Sequence, residues 1–136
     1  MIDRRRAGLV LVALVMTFVL VRTALAFSPD SDFDVAGYNI HHLFTGLVLI
    51  LIAGIPLAVS TGRSRWTDVA SVGFGCGLAL ALDEWVYLIA TDGSNASYLL
   101  PVSFWGGVIV VGLAAVYLFV LWWVGRPAPV DRPPDA

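Results

Sequence analysis

Four apolar runs separated by short polar stretches set the pattern of this chain. They cover about residues 7–27, 40–59, 68–90 and 101–124. Each matches the roughly 20 residues a helix needs to cross the hydrocarbon of a bilayer. The spacing predicts an all-α, polytopic membrane protein, a bundle of four transmembrane helices with short loops. Short connections favour antiparallel neighbours, so the second helix is expected to pack on the third and the third on the fourth. Residues 1–124 then form one helical domain. The stretch 125–136 contains four prolines and little to pack, and is expected to be a disordered tail.

Local signals refine the ends. Asn39 is placed to cap the second helix, Pro56 to kink its far end, and Pro101 to occupy the first turn of the fourth. The first segment has two readings. A basic start, an apolar run and Ala24-Leu25-Ala26 describe a cleavable secretory signal, which would leave three helices. A retained helix over 7–27 would span about 31 Å. Retention is the reading adopted, because it puts Arg22 at a depth where other helices also carry polar groups. The loop that follows holds Asp30, Asp32 and Asp34 at the spacing that opens a calcium loop. Position twelve is His41, where such a loop needs Glu, so the stretch is read as a solvated acidic loop.

Composition agrees with the pattern: 59% of residues are hydrophobic and 13% charged. A net charge of −2 without a basic, aromatic-interleaved patch excludes a nucleic-acid partner; the lipid bilayer is the partner expected. Cys76 is the single cysteine, so no intrachain disulfide forms, and its place among glycines reads as packing. Every basic residue is an arginine, and Arg4, Arg5, Arg6, Arg63, Arg65, Arg126 and Arg132 fall on one side of the predicted helices. The positive-inside rule then puts both termini in the cytoplasm of a multi-pass plasma-membrane protein.

The third segment breaks the apolar pattern with two adjacent carboxylates, Asp83 and Glu84. Each costs roughly 2.5–3.5 kcal/mol near mid-helix on insertion scales, which nearly cancels the gain from the apolar residues around them. This helix is a marginal inserter that needs partners. A rise of 1.5 Å per residue places Arg22 about 8 Å below the outer end of the first helix, and Asp83 and Glu84 about 9–11 Å below that of the third. His41 and His42 lie within roughly 3 Å of the start of the second. Five ionisable groups therefore share the outer third of the membrane.

Helical angles sort their faces. Glu84 stacks with Gly73 and Gly77, and glycines at four-residue spacing mark close helix contact, so Glu84 is read as facing the bundle. Asp83 lies a quarter-turn away, near Cys76 and Tyr87, at the cavity edge. His42 shares a face with Gly46 and Ala53 and is read as the inward histidine. His41 shares one with Thr45 and is read as a rim group.

Three readings compete for this cluster. Arg22 pairs with one carboxylate in a network that only satisfies buried charge. Or His42 and Glu84, with His41, hold a divalent zinc, iron or manganese ion, with Asp83 as base or second-layer group. Or the pocket handles protons or cations. Arg22, Asn39, Thr45 and Tyr87 complete the pocket's expected lining. The sharpest version is a metal-assisted activity on a lipid or other membrane-accessible substrate. The alternative is a noncatalytic subunit or small proton- or cation-coupled carrier, in a homo-oligomer or larger membrane complex. No Ser-His-Asp, H-E-x-x-H or phosphate-loop pattern is present.

Overall fold

The computed structural model describes residues 2–27, 34–35, 38–39 and 41–125, with backbone alone at 34–35 and 38–39. Four long helices dominate: α1 (Arg4–Phe27), α2 (His42–Val59), α3 (Arg65–Ala90) and α5 (Pro101–Val124). A single turn, α4 (Asn95–Tyr98), precedes α5, and two two-residue strands, β1 (Asp34–Val35) and β2 (Tyr38–Asn39), pair antiparallel between α1 and α2. The acidic stretch at Asp30 and Asp32 and the expected disordered tail lie outside the described residues, apart from Gly125.

Helix ends show why the boundaries differ from the pattern. The α1 helix starts at Arg4 because Asp3 Oδ1 accepts the amides of Arg5 at 2.9 Å and Arg6 at 3.3 Å, two of the donors a helix start leaves unpaired. The α3 helix starts at Arg65, three residues before its apolar run. There Ser64 and Thr67 cap each other reciprocally: the Thr67 amide donates to the Ser64 hydroxyl at 3.2 Å and the Ser64 amide to the Thr67 hydroxyl at 3.0 Å. Asn39 does not cap α2. It lies in β2, opposite Asp34, and the cap position is His41, whose side chain makes no capping bond. Pro56 lies within α2, which continues to Val59, and Pro101 takes the first turn of α5.

The α3 helix is the centre of the bundle, packing against α1, α2 and α5, while α1 and α5 also meet. It has the lowest mean hydropathy of the four, 1.5 against 2.3 to 2.5, and the most buried surface. Both follow from its carboxylates, which only protein neighbours can satisfy once water is gone. Val10, Leu14, Ala79, Val111 and Leu118 form the core of α1, α3 and α5. The α2 helix closes on α3 through glycines: a β-carbon on Gly46 would lie 2.6 Å from the Gly77 carbonyl oxygen, and one on Gly77 2.7 Å from that of Gly46. On another face of α3, Gly75 lets α1 approach, since its β-carbon would meet the Val10 carbonyl oxygen at 2.5 Å. Close backbone approach of this kind is how helices associate where lipid removes the hydrophobic drive between them.

The outer surface is apolar: Leu51, Ile52, Leu113 and Val116 are among many large side chains left exposed. Four helices long and apolar enough to cross a bilayer, with charged side chains buried between them, mark a multi-pass membrane protein in contact with lipid.

Candidate functional site

The two carboxylates in the last third of α3 are almost completely buried, and they point to different partners. Asp83 faces α1 and α5. Its Oδ1 lies 2.6 Å from Arg22 Nε, and its Oδ2 accepts the hydroxyl of Tyr98. The Arg22 guanidinium also donates to the Ser103 carbonyl at 3.1 Å and, at the long limit of a hydrogen bond, to that of Tyr98 at 3.5 Å. The Tyr98 ring lies 4.3 Å from its central carbon, with Phe104 and Phe18 further out. A charge this buried is tolerable only with such pairing, since an ion pair removed from water must recover its desolvation cost through geometry. The aromatic faces add attraction of their own. Burial first, and then the Asp83 carboxylate, push the Tyr98 phenol well above its ordinary pKa. It therefore stays protonated and donates.

Gly107 makes room for this pair. A β-carbon there would come within 2.7 Å of Asp83 Oδ1 and 2.9 Å of Arg22 Nη2. The preceding Gly106 seats the Val86 side chain in the same way. Tyr98 itself is set by the loop after α3, where Asp92 Oδ1 accepts from the Ser94 amide and hydroxyl and from the Ser97 hydroxyl at 2.6–3.1 Å. Those bonds hold the Asp92 carboxyl down at about 2. Gly93 turns the chain there with a φ of 73°.

Glu84 faces α2. Its Oε2 accepts the Leu43 amide at 2.7 Å, and its Oε1 lies 3.2 Å from His42 Nδ1 and 3.9 Å from His41 Nδ1. One orphan donor at the start of α2, the Leu43 amide, thus finds its acceptor on the neighbouring helix rather than in a local cap, and the carboxylate sits at the positive end of the helix dipole. The His42 side chain is 36% exposed and that of His41 22%. The expected inward and rim roles are therefore not a simple division: His42 is nearer Glu84 yet more open. The reason is local. His41 precedes the helix with an extended ψ of 144°, and its ring lies 5.9 Å from that of the buried Tyr87. Tyr87 stacks edge-on with Tyr98 at 5.3 Å and donates to the Ser94 carbonyl, so the two halves of the site meet through aromatic contacts.

Of the other expected lining residues, Thr45 lies on the exposed face of α2, and the side chain of Asn39 lies outside the described residues. Cys76 accepts a hydrogen bond from Thr17 at 3.2 Å, between α3 and α1. Tyr98, Ser103, Gly106 and Gly107 were absent from the sequence-derived set. A signal that could have found Gly106 and Gly107 is their pairing in a segment rich in large residues. Among the described residues, no group of three or more His, Cys, Asp and Glu side chains is arranged to hold a metal ion. Comparison with protein-family models, curated proteins and solved structures gives no match.

Proposed function

We propose that the chain is a noncatalytic plasma-membrane protein, with both termini cytoplasmic, in which His42, held against Glu84 and beside His41, takes up and releases a proton at the outer face. In this reading Arg22 and Asp83 are a fixed structural pair. The observation that carries it is the unequal situation of the partners of Glu84. The carboxylate is buried and tied to the start of α2, while His42 keeps about a third of its side chain open. A carboxylate only accepts, so the tautomer consistent with the contact has His42 Nδ1 donating to Oε1 and Nε2 left for an incoming proton. Histidine is the side chain whose ordinary pKa brings a charge change between pH 5 and 8. Proton uptake at Nε2 turns a neutral hydrogen bond into an ion pair and tightens α2 on α3; release loosens it.

Nitrogen NMR of labelled histidine in lipid nanodiscs tests this. His42 should change protonation as pH is varied across the range in which the protein stays folded, and Glu84→Gln should displace that change. A His42 signal unchanged across the range overturns the proposal. So does a stoichiometric transition metal in protein purified without chelators, which would favour the metal-assisted reading.

A further inference from the structure

A second polar feature lies at the opposite end of the bundle and plays no part in the proton reading. The start of α1, the turn between α2 and α3, and the end of α5 meet around an open groove of about 500 Å³. Its rim is Arg4, Arg5 and Arg63, its wall is Trp122, and its floor continues along α1 through Leu9 and Val12. Gly8 opens the floor, for a β-carbon there would lie 3.1 Å from Trp122 Cδ1.

The charges at this end do not balance. Among the described residues at this end, two carboxylates, Asp3 and Asp68, stand against five arginines, Arg4, Arg5, Arg6, Arg63 and Arg65. Arg5 pairs with Asp68 at 2.8 Å but keeps 57% of its side chain exposed. Arg63 stands 3.9 Å from Asp3, which also serves Arg6. Arg4 makes no ion pair among the described residues; its guanidinium lies 4.2 Å from the centre of the Trp122 ring. Among the described residues, positive charge is thus in excess at the rim, and below it Val12 is exposed at hydrocarbon depth.

We infer that this groove binds one anionic diacyl phospholipid, with its phosphate against Arg4 and Arg63 and an acyl chain along Leu9 and Val12. Charge complementarity selects the head, since basic pockets between helices at the membrane surface attract anionic headgroups. The apolar floor selects an amphiphile over a soluble anion. Trp122 stands where the two regions join, as interfacial tryptophans do.

Native mass spectrometry of the full chain, released from detergent with added lipid, tests the inference. Dioleoyl phosphatidylglycerol, dioleoyl phosphatidylcholine and inorganic phosphate are the probes. One phosphatidylglycerol should remain bound at collision energies that strip phosphatidylcholine. Each rim arginine contributes on the order of fivefold near an anionic surface, so Arg4→Gln with Arg63→Gln should weaken retention roughly 25-fold. Val12→Trp fills the floor without touching a charge and should also weaken retention, which keeps the test decisive if the arginine variant fails to fold. Equal retention of both lipids, unchanged retention in Val12→Trp, or displacement of the lipid by millimolar phosphate would each overturn it.

Discussion

Asp83 and Glu84 are consecutive on α3 and hold different helices. Asp83 fastens α3 to α1 through Arg22, and Glu84 fastens it to α2 through the Leu43 amide and His42. A helix turns 100° between neighbours, so adjacent carboxylates cannot share one partner and instead serve both sides. The pair of charges that makes α3 a poor inserter alone is what makes it the centre of the bundle. It also separates the roles: both carboxylates are enclosed, but Arg22 is buried with Asp83 while His42, beside Glu84, is about a third exposed.

Breaking the enclosed pair from either end should be costly. Asp83→Asn leaves the Arg22 guanidinium without its counter-charge, and Arg22→Gln leaves the Asp83 carboxylate with Tyr98 alone. Stranding a buried charge typically costs about 3–5 kcal/mol. The double variant should cost less than the sum of the two, measured by unfolding in detergent micelles, because the second change removes a group already stranded. Additivity within error would mean that the two residues are not partners.

Gly107 should tolerate no β-carbon. Gly107→Ala would press on both members of the ion pair at once, and overpacking of this kind costs about 1–3 kcal/mol. Gly112, one turn and a half along the same helix, has nothing within 4 Å of an added β-carbon. Gly112→Ala should therefore be neutral or slightly stabilising through helix propensity. Equal loss in the two variants would show that the space at Gly107 is not filled by Arg22 and Asp83.

The shared level of the cluster along the helix axes was legible in the sequence, and its rotation only in part. Apolar run length and helical rise placed Arg22, the histidines and the carboxylates at one level, because both depend on counting along one axis. Helical angles did sort one carboxylate: Glu84, on the face of Gly73 and Gly77, meets His42, on the face of Gly46. The partner of Asp83 depends on how α1 and α5 are arranged around α3, and no periodicity in a nearly uniform apolar helix reports that. Thr45 illustrates the failure: helical spacing put it beside His41, but His41 lies before the helix begins. Tyr98 was hidden for another reason. Its position depends on a loop whose conformation comes from the Asp92, Ser94 and Ser97 side chains, and composition shows only that a loop is present.

That loop should loosen in acid. The Asp92 carboxyl sits at about 2 against an ordinary 3.8, so its ionised form is favoured by the fold. The contribution is complete above the ordinary value and is lost as pH falls through about 2. Exchange of the Ser94 amide, relative to its intrinsic rate, should quicken over that window, and Asp92→Ala should remove the dependence. A rate that ignores pH between 4 and 2 in the unchanged protein would contradict the assignment.

The orientation rests on arginine placement. Reporter fusions at Gly62 and Arg126 should behave as cytoplasmic, and a fusion at Gly93 as external. The first helix should also remain in the mature chain, since Arg22 is the counter-charge of Asp83. Intact mass reads this directly. A mature protein starting at Phe27, or an external signal from the Arg126 fusion, would refute the proposed topology.

The last prediction separates the two bonds made by Glu84. Glu84→Gln keeps an oxygen to accept the Leu43 amide but gives up the charge that faces His42. Glu84→Ala loses both, and the added loss of an acceptor at a helix start is typically about 0.5–2 kcal/mol. Glu84→Ala should therefore be the more destabilising of the two. His42→Ala leaves a buried carboxylate with less compensation. Because about a third of the His42 side chain is exposed, its loss should fall below the about 3–5 kcal/mol of a fully buried pair. Combining His42→Ala with Glu84→Gln should reveal a coupling of about 0.5–3 kcal/mol in thermal unfolding, larger at pH 5 than at pH 8 if protonated His42 is the partner. Strict additivity at both pH values would mean that the 3.2 Å contact carries no energy, and the proton site proposed here would go with it.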